Sequence, residues 1–211
     1  MPADAATVEA AKQKRRGALK AVRRDGILQA ARAVFARDGL DGATLRAIAA
    51  EAGMAVGTVY LYFPTKEALY AEMLAGSLAD LQKALRDAVA RTRPEDQLLA
   101  AALGFYGFYR DRPDDLYLGL YLAQGLKPVG LTPELDRLLN GRLIQCYTVL
   151  GDGMRRRATL EAETLRAETV TLAAAITGAL VLESTGRLKV LGDSGEAVVR
   201  RAVDALIARL T

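Results

Sequence analysis

The chain has 211 residues, of which 51% are hydrophobic and 26% charged, so it is long enough to bury a core as one large or two small domains. It has no histidine and one cysteine, which removes the usual general base at neutral pH, the commonest metal ligand and any internal disulfide. With no phosphate-binding glycine loop and no nucleophile elbow, the sequence predicts a protein that is not an enzyme and needs no cofactor or metal.

The net charge of +4 lies entirely in the N-terminal third of the chain. Residues 1–70 hold 11 Lys and Arg against 7 Asp and Glu, whereas residues 71–211 hold 18 of each kind. Seven cations follow one another with no acid between them: Lys12, Lys14, Arg15, Arg16, Lys20, Arg23 and Arg24. We interpret residues 1–24 as a basic arm, either partly disordered or the start of the first helix. It is either a solvated tail or an arm that contacts nucleic-acid phosphates or the minor groove.

No segment predicts export or membrane insertion. The N-terminus is polar and charged, and the longest uncharged run in the C-terminal half, 169–182, has 14 residues. A helix needs about 20 apolar residues to span a bilayer. We therefore expect a cytoplasmic protein with no membrane partner.

Residues 42–69 predict a helix, a glycine turn, a second helix and the start of a third. Thr44 is placed as an N-cap before an apolar stripe that includes Leu45 and Ile48, and this first helix ends near Glu51. Gly53 falls where a tight turn needs positive φ. The second helix starts near Ala55 and ends at Pro64, and the next is capped by Thr65.

The second of these short helices carries an unusual outward face. Val59 is expected to point inward, which leaves Val56, Gly57, Thr58, Tyr60 and Tyr62 outward. A face with two tyrosines, a threonine and no charge suits a nucleic-acid groove better than solvent. Threonine and apolar groups contact thymine methyls, and tyrosine hydroxyls reach phosphates.

The segment Ile27 to Leu74 resembles the N-terminal domain of the TetR (tetracycline repressor) family of bacterial transcription regulators. The shared residues, in register and without a gap, are Ala30, Ala31, Phe35, Gly39, Thr44, Ile48, Ala49, Gly53, Thr58, Tyr60, Tyr62, Phe63, Lys66 and Leu69. The resemblance implies a three-helix DNA-binding domain whose dimers present two reading helices to successive major grooves. Many members have serine or a charged residue where this chain has Ala55 and Val56, so we expect its base readout to use apolar contacts.

Candidate DNA-binding residues follow from the outward face and from the resemblance. They are Thr44, Arg46, Val56, Gly57, Thr58, Tyr60, Tyr62 and Lys66. The resemblance places Thr44 and Arg46 near a phosphate and a groove base. Three alternatives stay open: Arg46 pairs with Glu51 or Asp41, one tyrosine ring packs in the core, and Lys66 is a solvated charge.

The rest of the chain reads as helix. A long amphipathic helix runs from Lys66 to about Arg91, and further helices are expected at 94–110, 114–124, 132–155, 163–185 and from a capping box at 193–196 to the end, with a loop at 126–131. The predicted fold class is all-α, with about nine helices. It divides into the arm 1–24, a helix-turn-helix DNA-binding domain 25–68, and an effector-binding and dimerisation domain 69–211.

Aromatic residues concentrate in three consecutive helices of the C-terminal part. The candidate ligand-binding residues are Phe105, Phe108, Tyr109, Tyr117, Tyr121, Cys146 and Tyr147. The resemblance implies an inducer pocket in these helices, and few charges accompany the rings, so the ligand would be an apolar or aromatic small molecule. Ordinary core packing is the alternative for any one of these residues.

The two last helices are apolar on too many sides for half-exposed helices. Candidate dimer-interface residues are Ile176, Leu180, Val199, Val203 and Leu206. Packing against a symmetry mate as a four-helix bundle would bury them, which agrees with the interface that the resemblance implies. Completion of the monomer core is the alternative.

Together these features predict a ligand-responsive transcriptional regulator, typically a repressor in this family, that binds a palindromic double-stranded DNA operator as a homodimer. A small-molecule effector would release it. The competing hypothesis is an architectural DNA-binding protein without an effector.

Overall fold

The computed structural model describes residues 5–120 and 131–210. Within these residues the chain forms ten α-helices and one 3₁₀ turn, with no strand. They are α1 (Ala5–Gly42), α2 (Leu45–Glu51), α3 (Val56–Tyr62), α4 (Lys66–Ala90), the 3₁₀ turn Pro94–Asp96, α5 (Gln97–Arg110), α6 (Pro113–Leu120), α7 (Pro133–Arg155), α8 (Ala162–Ser184), α9 (Arg187–Val190) and α10 (Gly195–Leu210). The all-α prediction is confirmed. The short α9 was not predicted, and the predicted loop 126–131 lies outside the described residues except for Leu131.

Two compact units divide the chain between Met73 and Leu74, inside α4. In the first unit, α1 packs against α2 and α2 packs against α3. Its core side chains from α1 are Ile27, Ala30, Ala31, Val34 and Phe35, spaced so that they share one helix face. Gly39 interrupts the helical backbone of α1 with φ 68°, a conformation that glycine adopts without steric cost.

The second unit is centred on α5, which packs against α7, α8 and α10. Leu98, Leu150, Ile176, Val199 and Leu206 are among its fully buried side chains. Gly153 of α7 lies so close to α5 that an added Cβ would be 2.9 Å from the Cα of Leu98. Glycine at this position lets the two helix backbones approach each other.

Most predicted helix ends in the second unit agree with the structure; the predicted end near residue 124 lies outside the described residues, and one cap is corrected. Thr132 caps α7, with its Oγ1 accepting a hydrogen bond from the Leu135 N–H at 3.4 Å. The capping box predicted at Asp193–Glu196 is not formed; the cap is Ser194, whose Oγ accepts a hydrogen bond from the Ala197 N–H at 3.2 Å. Asp193 instead accepts from the Ser194 N–H at 2.8 Å and pairs with Arg201.

Helix α8 is long and apolar enough to cross a membrane by length and composition, with one third of its most apolar window buried. A core helix of a soluble protein meets the same criteria, so this is weak evidence for a membrane span. The uncharged run 169–182 alone does not indicate this, because it is shorter than the helix.

Candidate nucleic-acid interface

The two-helix element predicted from the sequence is built as expected. The Oγ1 of Thr44 accepts a hydrogen bond from the Ala47 N–H at 3.0 Å and starts α2. Gly53 adopts φ 63° in the turn that follows α2. At the far end, the Oγ1 of Thr65 accepts from the Ala68 N–H at 3.1 Å and starts α4. Side-chain caps therefore define the beginning of the helix before α3 and of the helix after it.

Helix α3 buries one side chain and presents the others. Val59 is fully buried, whereas Val56 is 37% exposed and Tyr60 is 55% exposed. Gly57 is exposed, and Thr58 and Tyr62 are half-buried. These five residues are the ones predicted to point outward. Their surface carries hydroxyl groups, which can contact phosphates, and methyl groups, which can contact thymine.

Leu61 is a member of this surface that sequence reasoning missed. It lies between Tyr60 and Tyr62 on α3, and it is 84% exposed. A large apolar side chain this exposed beside the reading surface is available to contact a base methyl or the sugar. The sequence allows this inference, because Val59 is the one residue of this short helix expected to face inward, and Leu61 is therefore expected to be exposed.

Arg46 and Lys66 differ in whether their side chains have partners within the protein. Arg46 is exposed, and within the described residues it forms no ion pair. Glu51, one proposed partner, is instead 3.5 Å from Arg37. Lys66 is half-buried, and its Nζ donates a hydrogen bond to the backbone oxygen of Asp41 at 3.0 Å. The Lys66 side chain therefore joins the end of α1 to the start of α4, and its remaining N–H groups are what it could offer to a phosphate.

The basic segment is helical from Ala5 onward. Six of its seven cations are exposed: Lys12, Lys14, Arg15, Arg16, Lys20 and Arg23. Arg24 is different, because its guanidinium pairs with Glu72 and lies 5.3 Å from the ring centroid of Phe63. Arg24 is thus part of the packing of the first unit, and the exposed cations form the basic surface.

The aromatic residues predicted to line a ligand site pack against one another in the second unit. The ring centroids of Phe105 and Tyr109 are 5.4 Å apart, those of Phe105 and Tyr147 are 6.1 Å apart, and those of Phe108 and Tyr109 are 5.1 Å apart. We call these four residues the aromatic cluster. Three of them are buried and Tyr147 is half-buried. The structure therefore brings α5 and α7 together through aromatic rings.

The other three candidate ligand residues have different environments. Cys146 is fully buried, and its Sγ donates a hydrogen bond to the Leu78 backbone oxygen at 3.4 Å. Tyr117 is 38% exposed. Tyr121 lies outside the described residues.

Burial keeps the thiol and phenol groups of this region protonated. It raises the pKa of the Cys146 thiol to about 11. It also raises the pKa of Tyr109, to which the nearby Cys146, Asp115 and Tyr147 add. Since a reactive cysteine needs a lowered pKa, Cys146 is an inert buried thiol. The phenol groups stay protonated at neutral pH and are available as hydrogen-bond donors.

The five residues predicted at a dimer interface are buried inside the second unit instead. Ile176, Leu180, Val199, Val203 and Leu206 are each at most 2% exposed, so none of them is available to a second copy. α8 and α10 pack against each other and both pack against α5, so their apolar faces are covered by a helix of the same unit. The outer side of α8 presents other residues: Val170 is 53% exposed, Leu182 is 38% exposed, and Ala174 and Gly178 are exposed. This uncharged strip, Val170, Ala174, Gly178 and Leu182, is called the outer face of α8.

Comparison with known proteins finds a family match within the first unit. Residues 27–73 match the family described as bacterial regulatory proteins, tetR family. The repressor KstR2 of Rhodococcus jostii is 41% identical over 71 residues, which are 34% of this chain and 35% of that protein. The uncharacterized regulator YerO of Bacillus subtilis is 26% identical over 146 residues, which are 64% of this chain and 49% of that protein. The chain thus spans about half or less of the length of these curated relatives.

The structural similarity to known proteins extends beyond residues 27–73. The transcriptional regulator FadR from Bacillus subtilis, solved in complex with stearoyl-CoA, superposes with a TM-score of 0.68 over 86% of this chain and 96% of that one, at 18% identity. At this identity the likeness establishes the shared fold alone.

Proposed function

Because the chain belongs to the TetR family of bacterial transcriptional regulators, we propose that it is a ligand-responsive repressor that binds a palindromic DNA operator as a homodimer. An apolar or aromatic small molecule would release it from DNA. The observation that carries this proposal is the surface of α3, where Thr58, Tyr60 and their neighbours face outward around the buried Val59.

DNA binding would use two kinds of contact, to phosphates and to base edges. Thr44, Tyr60 and Tyr62 are suited to phosphates, because hydroxyl groups donate to phosphate oxygens without reading sequence. Val56, Thr58 and the newly found Leu61 supply methyl groups that distinguish thymine in the major groove. Arg46 is exposed and unpaired among the described residues, so its guanidinium is available to a base edge or a phosphate.

Dimerisation would set the distance between two copies of this surface along the DNA. Two reading helices related by a two-fold axis enter major grooves about 34 Å apart, which is why the operator would be palindromic. The outer face of α8 supports a homodimer built on this helix. Gly178 has no atom within 4 Å of an added Cβ, although glycine inside a helix costs about 1 kcal/mol relative to alanine. Close approach of a second helix is a physical reason to keep glycine there.

The effector would bind in the second unit at the aromatic cluster. The cluster offers aromatic rings and phenol groups that are protonated at neutral pH, which favours a ligand with an apolar body. The Bacillus subtilis FadR structure, which shares this fold, holds stearoyl-CoA, so compounds with an acyl chain are one class of effector to test, although the coenzyme A part of that ligand is charged.

Release would be a shift between two populations of the dimer. An effector that moves DNA occupancy from 99:1 to 1:99 must prefer the released state by about 5.5 kcal/mol. A single small pocket supplies that much only with difficulty. We therefore expect partial release, measured as a weaker apparent affinity at saturating effector.

Fluorescence anisotropy on DNA from immediately upstream of the gene, against random duplex DNA over a salt series, tests the proposal. We expect the upstream fragment to be bound about 10³-fold or more tightly than random DNA, with affinity falling as salt rises. Tyr60→Ala should weaken binding to both DNAs, whereas Thr58→Ala should mainly reduce the difference between them. Equal loss on both DNAs in Thr58→Ala would contradict the role given to Thr58.

An effector screen with the same probe decides between this proposal and an architectural DNA-binding protein. Aromatic compounds and acyl chains are the first candidates. A compound that binds the protein and lowers its DNA affinity supports the repressor. The architectural protein predicts DNA affinity that no bound small molecule changes.

A further inference from the structure

Helix α1 begins far before the domain that the family comparison recognises. It starts at Ala5, whereas the matched segment starts at residue 27. At about 1.5 Å per residue the added turns lengthen the helix by about 33 Å. We call residues 5–26 the α1 extension.

A groove lies between the α1 extension and the end of α3, entirely within the first unit. Its volume is about 680 Å³. The lining residues are Glu9, Gln13, Arg16, Gly17, Leu19, Lys20, Arg23 and Tyr62. Arg16, Lys20 and Arg23 are separated by four and three positions, so they share one helix face and point to the same side. Tyr62 is the last residue of α3, the reading helix.

The charge of the groove favours a polyanion. Three of its side chains are cationic and one, Glu9, is acidic. Arg16, Lys20 and Arg23 are exposed, and none of them forms an ion pair with a residue that the structure describes. Between Arg16 and Arg23 the helix rises about 10 Å, comparable with the rise of three base pairs at about 3.4 Å each.

The helical form of the extension decides between two modes of DNA contact. An α-helix with its side chains is about 10 to 12 Å wide, whereas the minor groove of B-DNA is about 6 Å wide. A helix does not enter such a groove as an extended arm does. Of the two modes, contact with the phosphodiester backbone is therefore the one that a helical segment allows.

We propose that the groove between the α1 extension and Tyr62 holds the DNA phosphate backbone beside the half-site read by α3. This inference rests on the proposed DNA-binding function and adds a second, sequence-independent site to it. Arg16, Lys20 and Arg23 would neutralise consecutive phosphates, and the hydroxyl of Tyr62 would donate to a phosphate from the opposite wall. The protein would then cover DNA beyond the footprint of the matched domain.

Two triple variants of the full-length protein test the proposal. Arg16→Gln/Lys20→Gln/Arg23→Gln removes the groove cations. Lys12→Gln/Lys14→Gln/Arg15→Gln removes the same charge from the same helix at positions that do not line the groove. The charge-preserving Arg16→Lys/Arg23→Lys is the third variant. Circular dichroism checks that all three stay helical.

Binding is measured by anisotropy on random duplex DNA of about 40 base pairs over a salt series, which needs no knowledge of the operator. Each lost phosphate contact should reduce the slope of log K against log salt by about 0.9, so the groove triple variant should lose about two to three units. The control triple variant should lose less than one unit, and the charge-preserving variant should keep the wild-type slope. Equal losses in both triple variants, or no loss in either, would overturn the proposal.

The outcome is separable from that of the proposed function. If the wild-type protein prefers upstream DNA while the groove variant behaves as its control does, the regulator stands and the groove assignment fails. If the wild-type protein binds no duplex DNA at any salt concentration, both fail.

Discussion

Replacement of Gly153 by alanine tests the closest helix contact in the second unit. The added Cβ would be 2.9 Å from the Cα of Leu98 and 3.2 Å from its N and Cβ. Two of these three atoms belong to the backbone, and the Leu98 side chain is fully buried. A rotamer change therefore does not relieve the overlap, and α5 or α7 has to move.

The magnitude follows from two opposing effects. Inserting a methyl group into a well-packed core costs about 1 to 3 kcal/mol, whereas replacing glycine by alanine inside a helix gains about 1 kcal/mol. The net expectation for Gly153→Ala is a loss of about 0 to 2 kcal/mol in the free energy of unfolding, centred near 1 kcal/mol. Gly107 in α5 is the matched control, because nothing lies within 4 Å of its added Cβ. Gly107→Ala should therefore stabilise the protein by up to about 1 kcal/mol.

Urea unfolding followed by circular dichroism measures both variants, with the protomer concentration held constant because the proposed dimerisation would shift the midpoint. We expect the midpoint of Gly153→Ala to lie below that of the wild-type protein and the midpoint of Gly107→Ala to lie at or above it. If both variants were equally stabilised, α5 and α7 would not be in the close contact described, and the reasoning would be refuted.

Three further predictions concern single side chains. Burial raises the pKa of Tyr106 to about 12, above the ordinary value of about 10, so stability should fall as pH rises from about 10 to 12; Tyr106→Phe should flatten this decline in thermal midpoints. Thr44→Ala should cost about 1 kcal/mol in urea unfolding and weaken DNA binding, and Thr44→Ser should restore both. Arg24→Met should cost about 1 kcal/mol, because it removes an ion pair and a ring contact, whereas Arg23→Met at an exposed position should change the urea midpoint little.

The helix-turn-helix element was predictable because its determinants are local. The cap at Thr44, the positive φ at Gly53 and the cap at Thr65 each depend on residues within four positions of one another. The same holds for Thr132 at the start of α7. Hydrophobic periodicity likewise placed the single inward residue of α3, Val59.

Long-range partners were not predictable in this way. Periodicity shows that a residue such as Val199 is apolar on a helix face, but it does not say whether that face meets the same chain or a second copy. The interface assignment failed for this reason, since α5 covers the faces of α8 and α10 that had been given to a dimer. Arg24 was read as part of a basic arm because its partner, Glu72, is 48 residues away.

Helix α5 contributes to the proposed effector site and also packs against α8, the helix proposed for dimerisation. On one side Phe105 and Tyr109 belong to the aromatic cluster with α7. On another side the hydroxyl of the buried Tyr106 donates to Glu183 near the end of α8, and the other Glu183 oxygen accepts from the Gly195 N–H at 3.3 Å at the start of α10.

At the start of α10, the backbone at Gly195 packs too tightly against Tyr106 and Glu183 to accommodate a side chain. A Cβ there would lie 2.6 Å from the Tyr106 ring and 2.8 Å from the Glu183 carboxylate. Since packed interfaces switch between discrete arrangements instead of deforming smoothly, a molecule that displaces the rings around α5 would also strain the contact between α5, α8 and α10. An effector bound at the aromatic cluster would therefore alter the packing of α8. It would do so without contacting the outer face of α8, which is proposed to form the dimer interface.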